Sequence, residues 1–388
     1  MLQSATERRR EISMNATERA EILTSVWWAG VHAVAGQASV AASLETAPIP
    51  RPDLILAVGK AAVSMARAAH ARFPGGRTLA ITKAGHAEPG SVHRDRSFEI
   101  LQSAHPVPDI TSLTAGARLL AEVVAAPPGS HLLLLVSGGA SSLVEVPRPG
   151  LTLADIASLN RALLASGKDI GVMNAERSQY SMIKGGGLLA RFGGARVTIL
   201  AISDTRGDSV ATIGSGIGLG LPRQALVAET RIVASNTVAR AAAAAKARAL
   251  GWAVRDYGEV LYDDVAACAD LIADRLPQRP GLTLWGGEPT VILPPDPGRG
   301  GRNQALALHL AGRIAGIADL SLLVAGTDGN DGPTEAAGGL VDGATWAQGA
   351  DAALTRADSG RFLAARAALF TTGPTGTNVM DLALALRG

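Results

Sequence analysis

The sequence predicts an α/β protein in two domains, built on parallel sheet with its chemistry gathered where strands end. Three observations predict it. Short β-rich apolar runs alternate with longer Ala/Leu/Arg segments of helical spacing. The runs are continuously apolar rather than alternating, as strands buried on both faces must be. Glycine is abundant, 45 of 388 residues or about 12% against a usual ~7%, and it clusters directly after the apolar runs.

In chain order, strands are expected at LILAV (54–58), TLAIT (78–82), FEIL (98–101), LLLLV (132–136), VTILAI (197–202), RIVA (231–234), LTLW (282–285) and SLLVA (321–325). Helices are expected over residues 1–45, in AAVSMARAAHARF after Gly59, in TSLTAGARLLAEVVAA (112–126) and in TVARAAAAAKARALG (237–251). The first of these could pack on either domain. The closing run VMDLALAL alternates, with Met380, Leu382, Leu384 and Leu386 on one face, and reads as a half-buried strand at a sheet edge. LPQRPG (276–281) and PPDPGRGG (294–301) read as long surface excursions, and the domain boundary is expected near residue 235.

Composition excludes several functions. With 36 basic against 34 acidic residues, the formal charge of +2 provides no broad cationic face for nucleic acid or an anionic membrane. A single cysteine, Cys268, forms no intramolecular disulfide and no multi-cysteine zinc site. No run approaches the ~18 apolar residues of a membrane span, and the opening segment lacks the apolar core of a signal peptide. Cytoplasm is therefore the expected compartment. SATERRREI (4–12) is echoed by NATERAEIL (15–23), which fits a true start at Met14 or chance and carries no functional reading.

In parallel α/β sheets, ligands bind beyond the carboxyl ends of the strands. Here those ends read VGKA, SGGASS, SDTRGD, SNT, GGEPT and GTDGND, with Ser, Lys, Asp or Glu where plain turns would suffice. The set points to a small-molecule enzyme. There is no GxxxxGK[ST] loop, no HExxH and no GxSxG, and GSGIGLG (214–220) fails the dinucleotide spacing because its third glycine falls on Leu219 or Leu221. SGGASS places Ser137, Gly138, Gly139, Ala140 and Ser141 at a strand-to-helix turn whose N–H groups suit a phosphate or carboxylate, although a plain glycine turn would look similar. Lys60 puts an ammonium at a helix start, against the dipole preference, in a chain with only five lysines. Lys184 and Gly185 in SMIKGGGLL repeat the theme. Asp204, Asp208, Glu288, Asp328 and Asp331 form a carboxylate set able to hold Mg²⁺ or to deprotonate an alcohol. Arg302 and Asn303, after a glycine-rich loop and before an apolar helix, suit a clamp on an anion.

Together these segments resemble the glycerate 2-kinase family, whose C-terminal part is the MOFRL domain. The likeness is carried by AVGKAA (57–62), SAHPVPD (103–109), LVSGGASSL (135–143), IKGGG (183–187), SNT (235–237), GGEPTV (286–291), GRGGRNQALAL (298–308), AGTDGNDGPTEAAGGLVD (325–342) and TGPTGTNVMDL (372–382). The resemblance implies an N-terminal Rossmann-like domain over 1–235, a C-terminal MOFRL-type α/β domain over 236–388, and an active site in the cleft between them. It implies transfer of phosphate from ATP, with Mg²⁺, to the C2 hydroxyl of D-glycerate, giving 2-phosphoglycerate. Lys60 and Arg302 match the family's active-site lysine and arginine, and Asp204 joins them as the third expected catalytic residue. Ser137–Ser141, Lys184, Gly185 and Asn236 are the expected nucleotide or phosphate contacts. Asp208, Glu288, Asn303, Asp328 and Asp331 are the expected substrate or metal contacts. The partners are then a small hydroxy acid and a nucleotide, with no nucleic acid or membrane, and a homodimer stays open.

The chain also departs from the family. Where relatives read close to RKHLSxIKGGRL it has RSQYSMIKGGGL, with Ser178, Gln179 and Gly187 in place of basic residues. GDDPxxIASGPT becomes GDSVATIGSGIG, with Ser209 in place of a carboxylate. Two other readings follow: a hydroxypyruvate reductase using NAD(P)H, disfavoured by the missing fingerprint, and a divergent paralogue that acts on or senses another hydroxy acid.

Overall fold

The computed structural model describes residues 14–86, 97–165, 170–220 and 226–388. The first copy of the N-terminal echo lies outside the described residues. The chain begins with α1 (Ala16–Ala33) and α2 (Gly36–Thr46). It continues through β1 (Leu54–Val58), α3 (Ala62–Arg72), β2 (Arg77–Lys83), β3 (Phe98–Ser103), α4 (Ile110–Ala125), β4 (His131–Val136) and the one-turn α5 (Ala140–Leu143). Next come α6 (Leu153–Ala165), α7 (Ile170–Tyr180), β5 (Arg196–Ile202), β6 (Val227–Ala234) and α8 (Asn236–Ala249). The second half holds β7 (Val254–Leu261), α9 (Val265–Ala273), β8 (Gly281–Gly287), α10 (Arg302–Arg313), β9 (Leu320–Gly326) and β10 (Gly338–Asp342). It closes with α11 (Ala350–Thr355), α12 (Ser359–Ala365), β11 (Leu369–Phe370) and β12 (Asp381–Arg387).

Two six-stranded sheets result. The first, ordered β3-β2-β1-β4-β5-β6, is parallel throughout and changes winding direction between β1 and β4. That junction is where open α/β sheets present a ligand crevice. The second, ordered β11-β10-β9-β12-β8-β7, is mixed. Only β7 and β8 pair in parallel; β12 runs antiparallel to both β8 and β9.

A shared layer of helices lies between the sheets. Trp27, Val31, Met65 and Ala243 pack in one cluster with Ile55 and Leu133 of the first sheet and Leu284, Leu323 and Leu384 of the second. Leu56, Leu134 and Ile199 meet α4 on the first sheet's outer face, while Leu322, Val324 and Ala385 meet α9 and α10 on the second's. The open question about the N-terminal helix has a divided answer. α1 packs on α8, β9 and β12, and α2 packs on α3 and β6. Asn15 caps α1 by accepting from the Glu18 N–H, while the Glu18 carboxylate accepts from the Asn15 N–H. The buried Arg19 pins the helix to the second sheet through Ser321 Oγ (3.0 Å) and the Ala318 carbonyl (2.7 Å).

The closing strand differs from its sequence reading. β12 is central and buried along six of its seven residues, not half-exposed at an edge. The alternation is of large against small rather than apolar against polar. Leu382, Leu384 and Leu386 face the shared helix layer, and Ala383 and Ala385 leave room for helices on the other side. β7, β10 and β11 are strands the apolar runs did not mark; β7 (VRDYGEVL) is a half-exposed edge strand carrying charge. Among the described residues, no helix is long and apolar enough to cross a membrane.

Truncating Leu384 to Ala should cost about 2–5 kcal/mol in urea unfolding, as for a fully enclosed leucine. A loss below about 1 kcal/mol would contradict a strand covered on both faces.

Candidate active site

The carboxyl ends of β1, β4 and β5 face the carboxyl ends of β8 and β9, and the amino end of β12 joins them because that strand runs the other way. Each end contributes a polar group. After β1, Lys60 reaches across to Asp328, which follows β9, with Nζ to Oδ2 at 2.6 Å. After β4, the Ser137–Gly139 turn packs on Lys60: the Lys60 N–H donates to the Gly138 carbonyl (2.9 Å), and Ser137 Oγ accepts from the Ala61 N–H (3.1 Å). After β5, Asp204 accepts from Asn378 Nδ2 (3.2 Å) just ahead of β12. After β8, Glu288 pairs with Arg302 of α10 at 2.8 Å, and Arg302 Nε donates to Asp381 Oδ2 at 2.8 Å.

The turn presents a run of unpaired backbone donors. Among the described residues, the N–H groups of Gly138, Gly139 and Ala140 donate to no protein acceptor. Gly139 holds a left-handed φ of 84°, which turns these donors to one side. Gly138 has no room for a side chain, since a Cβ there would lie 2.0 Å from Asp204 Oδ2 and 2.2 Å from Asn378 Nδ2. The close approach brings backbone donors beside the carboxylate.

Electrostatics divide the carboxylates by environment. Burial opposes the Lys60 ammonium, but the Asp328 carboxylate outweighs it, so Lys60 holds its proton above the ordinary range and Asp328 loses its proton below its own. Arg302 is likewise held charged by Asp381 and Glu288 against burial. Asp204 has no cation in contact; burial, then the charge of Glu288, push its pKa up to about 7. Desolvation also raises Glu288, against the pull of Arg302, although 44% of its side chain remains exposed.

Several expected contacts sit elsewhere or are already occupied. Lys184 is buried against Glu145 in an ion pair with both side chains 2% exposed, and the Gly185 N–H donates to the Ser215 carbonyl at 2.9 Å. That segment braces the fold beneath the turn. Asn236 is fully enclosed: Nδ2 donates to the Val379 and Asp381 carbonyls (3.0 Å each), and Oδ1 accepts from Arg240. Asp331 caps α10, accepting from the N–H groups of Asn303 (3.1 Å) and Gln304 (2.8 Å), and burial raises its pKa to about 6. Asn303 is buried beside Gly326 with neither side-chain polar atom bonded. Asp208 holds a left-handed φ of 53° in the loop four residues beyond Asp204, with a buried, unbonded Oδ1. Ser141 Oγ lies 2.7 Å from Ser215 Oγ, which in turn donates to Asn174 Oδ1 (2.8 Å), anchoring the turn from below.

Asp381 and Asn378 were absent from the sequence expectations. Asn378 precedes β12 and Asp381 opens it, and only the antiparallel direction of that strand puts them at the ligand edge. Lys83 at the end of β2 and His105 after β3 also belong to this edge. Burial and then the neighbouring lysines push His105 down to about 3, a neutral imidazole.

Among the described residues, no three His, Cys, Asp or Glu side chains gather as a ready-made metal cage. Mg²⁺ escorting a nucleotide needs only one or two carboxylates, with phosphate oxygens and water completing its shell. The partly exposed Glu288 and the cation-free Asp204 fit that requirement.

A phosphate-sized turn flanked by cations from two sheets defines a two-domain α/β enzyme of the phosphoryl-transfer kind. Residues 22–249 match a domain of unknown function (DUF4147), and residues 281–381 match the MOFRL family. A D-glycerate 2-kinase of Thermotoga maritima is 36% identical over 86% of this chain and 90% of its own. An Agrobacterium vitis relative, provisionally named a hydroxypyruvate reductase, is 35% identical over 86% of this chain and 99% of its own. The crystal structure of a Thermotoga maritima glycerate kinase superposes with a TM-score of 0.82 at 32% identity, covering 96% of this chain and all of that one. The chain belongs to the glycerate 2-kinase family.

A folded-state pKa above the unfolded value means the native protein binds the extra proton. The stability this provides is complete below about pH 4 and lost as pH rises through about 7. Asp204→Asn should therefore raise the thermal midpoint at pH 8, with a gain that shrinks toward pH 4. An equal gain at both ends would mean the carboxylate is not strained by burial.

Proposed function

We propose that this protein phosphorylates the C2 hydroxyl of D-glycerate with ATP, giving 2-phosphoglycerate, and does so in the cytoplasm. The observation that carries the proposal is the unpaired backbone turn at Gly138–Ala140, with Lys60 on one side and Asp204 within reach of Gly138 on the other. The names borne by the relatives support the substrate.

The residues divide the work by charge. Asp204, poised near neutrality, accepts the C2 hydroxyl proton as the substrate oxygen attacks phosphorus. The N–H groups of the turn hold the phosphoryl oxygens, and Lys60 and Arg302 balance the charge that spreads over them, where phosphoryl transfer draws most of its catalysis. Lys60 reaches the phosphate by giving up part of its contact with Asp328. Mg²⁺, held through Glu288, would supply further charge neutralisation on the nucleotide. Asp381 keeps Arg302 aimed while the cleft is empty. Gly185, Lys184 and Asn236 serve in this account as supports for the turn and for the start of β12.

The reductase reading is the weaker one. The β1 turn (VGKA) has no room for the dinucleotide fingerprint, and in GSGIGLG Gly214 and Ser215 hold left-handed backbone angles in a short turn well beyond the end of β5.

Incubation with ATP, Mg²⁺ and D-glycerate should yield 2-phosphoglycerate by phosphorus NMR, whereas consumption of NAD(P)H on hydroxypyruvate without ATP would replace this reading. Lys60→Ala should lower kcat/KM by at least about 100-fold, as for other groups aimed at transition-state charge, with circular dichroism unchanged. kcat/KM should rise with pH through about 7 as Asp204 ionises. Asp204→Asn should abolish that limb; a wild-type limb surviving in the variant would exclude Asp204 as the base.

A further inference from the structure

We propose that the carboxyl ends of β2 and β3 seat the polyphosphate of the nucleotide, with Lys83 as the cation that receives the departing phosphate and His105 as a donor beside it. This rests on the phosphoryl-transfer reading and adds the direction of transfer to it.

Val58 of β1 pairs with Ile81 of β2, and Lys83 of β2 pairs with Ser103 of β3. Lys60 lies two residues beyond Val58, Lys83 two beyond Ile81, and His105 two beyond Ser103. By that register Lys60 and Lys83 are level on neighbouring strands ~4.8 Å apart, and His105 stands two residues further along the same edge. Two of the chain's five lysines are neighbours in it.

Asp328 accounts for Lys60, but among the described residues Lys83 has no carboxylate partner. Burial, then the charge of Lys60, lower the proton affinity of Lys83. Adjacent like charges in a partly enclosed place repel unless an anion lies between them. His105 closes the space from the other side: a Cβ on Gly139 would meet its Cδ2 and Nε2 at 3.2 Å and Lys60 Cγ at 3.3 Å. A neutral imidazole there offers a donor without adding a third positive charge.

Strand order supplies the direction. Across the edge from β2 to β5 come Lys83, Lys60, the Ser137–Gly139 turn and Asp204, with the His105 ring reaching in from β3 to lie against Gly139. An in-line displacement needs the attacking and leaving oxygens on opposite sides of the transferred group. With the base on β5, the leaving group belongs on β2. The C2 oxygen forms its bond to the γ-phosphorus while the bond from that phosphorus to the β-phosphate oxygen breaks. The electron pair stays on the nucleoside diphosphate, opposite Lys83, and the hydroxyl proton goes to Asp204.

The test measures ADP and pyrophosphate binding by titration calorimetry, apart from turnover. Lys83→Met should weaken both at least about tenfold. It should leave KM for D-glycerate within about twofold and keep or raise the thermal midpoint, because a like charge beside Lys60 is gone. Lys83→Arg should restore most of the affinity. If Lys83→Met binds ADP as the wild type does while the wild type phosphorylates D-glycerate, the seat is wrong and the function stands. The seat is equally wrong if KM for D-glycerate rises and ADP binding does not, since that edge then holds the substrate carboxylate. If the wild type turns over nothing but loses ADP and pyrophosphate affinity with Lys83, the function is wrong and the seat stands.

Discussion

The contact between Lys60 and Asp328 governs the rest of the site. It joins the carboxyl end of one sheet to that of the other, with side chains only 16% and 9% exposed. An ammonium held this deep would lose its proton or its place without a counter-charge; paired, it stays charged and pointed at the Ser137–Gly139 turn. The pair is also exchangeable. An arriving phosphate offers Lys60 the same kind of partner at the same depth, so its charge need not return to water in between.

The other carboxylates show one residue type put to different uses by its surroundings. Asp331 meets backbone amides and holds the start of α10, and Asp381 meets Arg302 and aims it. Asp204 is buried beside the Asn378 amide in the field of Glu288, with Lys60 acting on it without contact, and so keeps an affinity for protons near neutrality. Such a group takes a proton from an alcohol more readily than the well-paired acids around it. Arg302 completes the division by being fully charged and doubly anchored, which suits a fixed cation facing a mobile substrate.

Much of this was legible in the sequence because parallel strands announce themselves. Continuous apolar runs such as LILAV and LLLLV located the first sheet, and looking just past each of them located Lys60, the Ser137–Gly139 turn and Asp204. The same rule misled where the chain reverses. β12 brings its amino end to the cleft, so Asn378, just before the run, and Asp381, near its start, went unmarked. Leu and Ala alternate along it, and a pattern in letters cannot distinguish a small side chain facing solvent from one making room for a helix. Asn236 and Lys184 had the right type and position, yet their partners, the Val379 carbonyl and Glu145, are far away in sequence. Only the fold reveals that their polar atoms are already engaged.

The central place of β12 also constrains how the protein comes into being. Its seven residues sit between β8 and β9, and the leucines on one face support α1 near the opposite end of the chain. On a translating ribosome, the parallel sheet of the first half can pair its strands early. The second sheet must wait with a gap at its middle, and α1 with an uncovered apolar face, until residue 387 has left the exit tunnel. The same late strand sets the arginine and asparagine contacts of the cleft, so a nascent chain that has already built the Ser137–Gly139 turn still lacks the opposing wall. Catalytic competence would then arrive in one step when β12 enters the sheet, and the exposed leucine-lined slot makes the interval before it the time when a chaperone has most to hold.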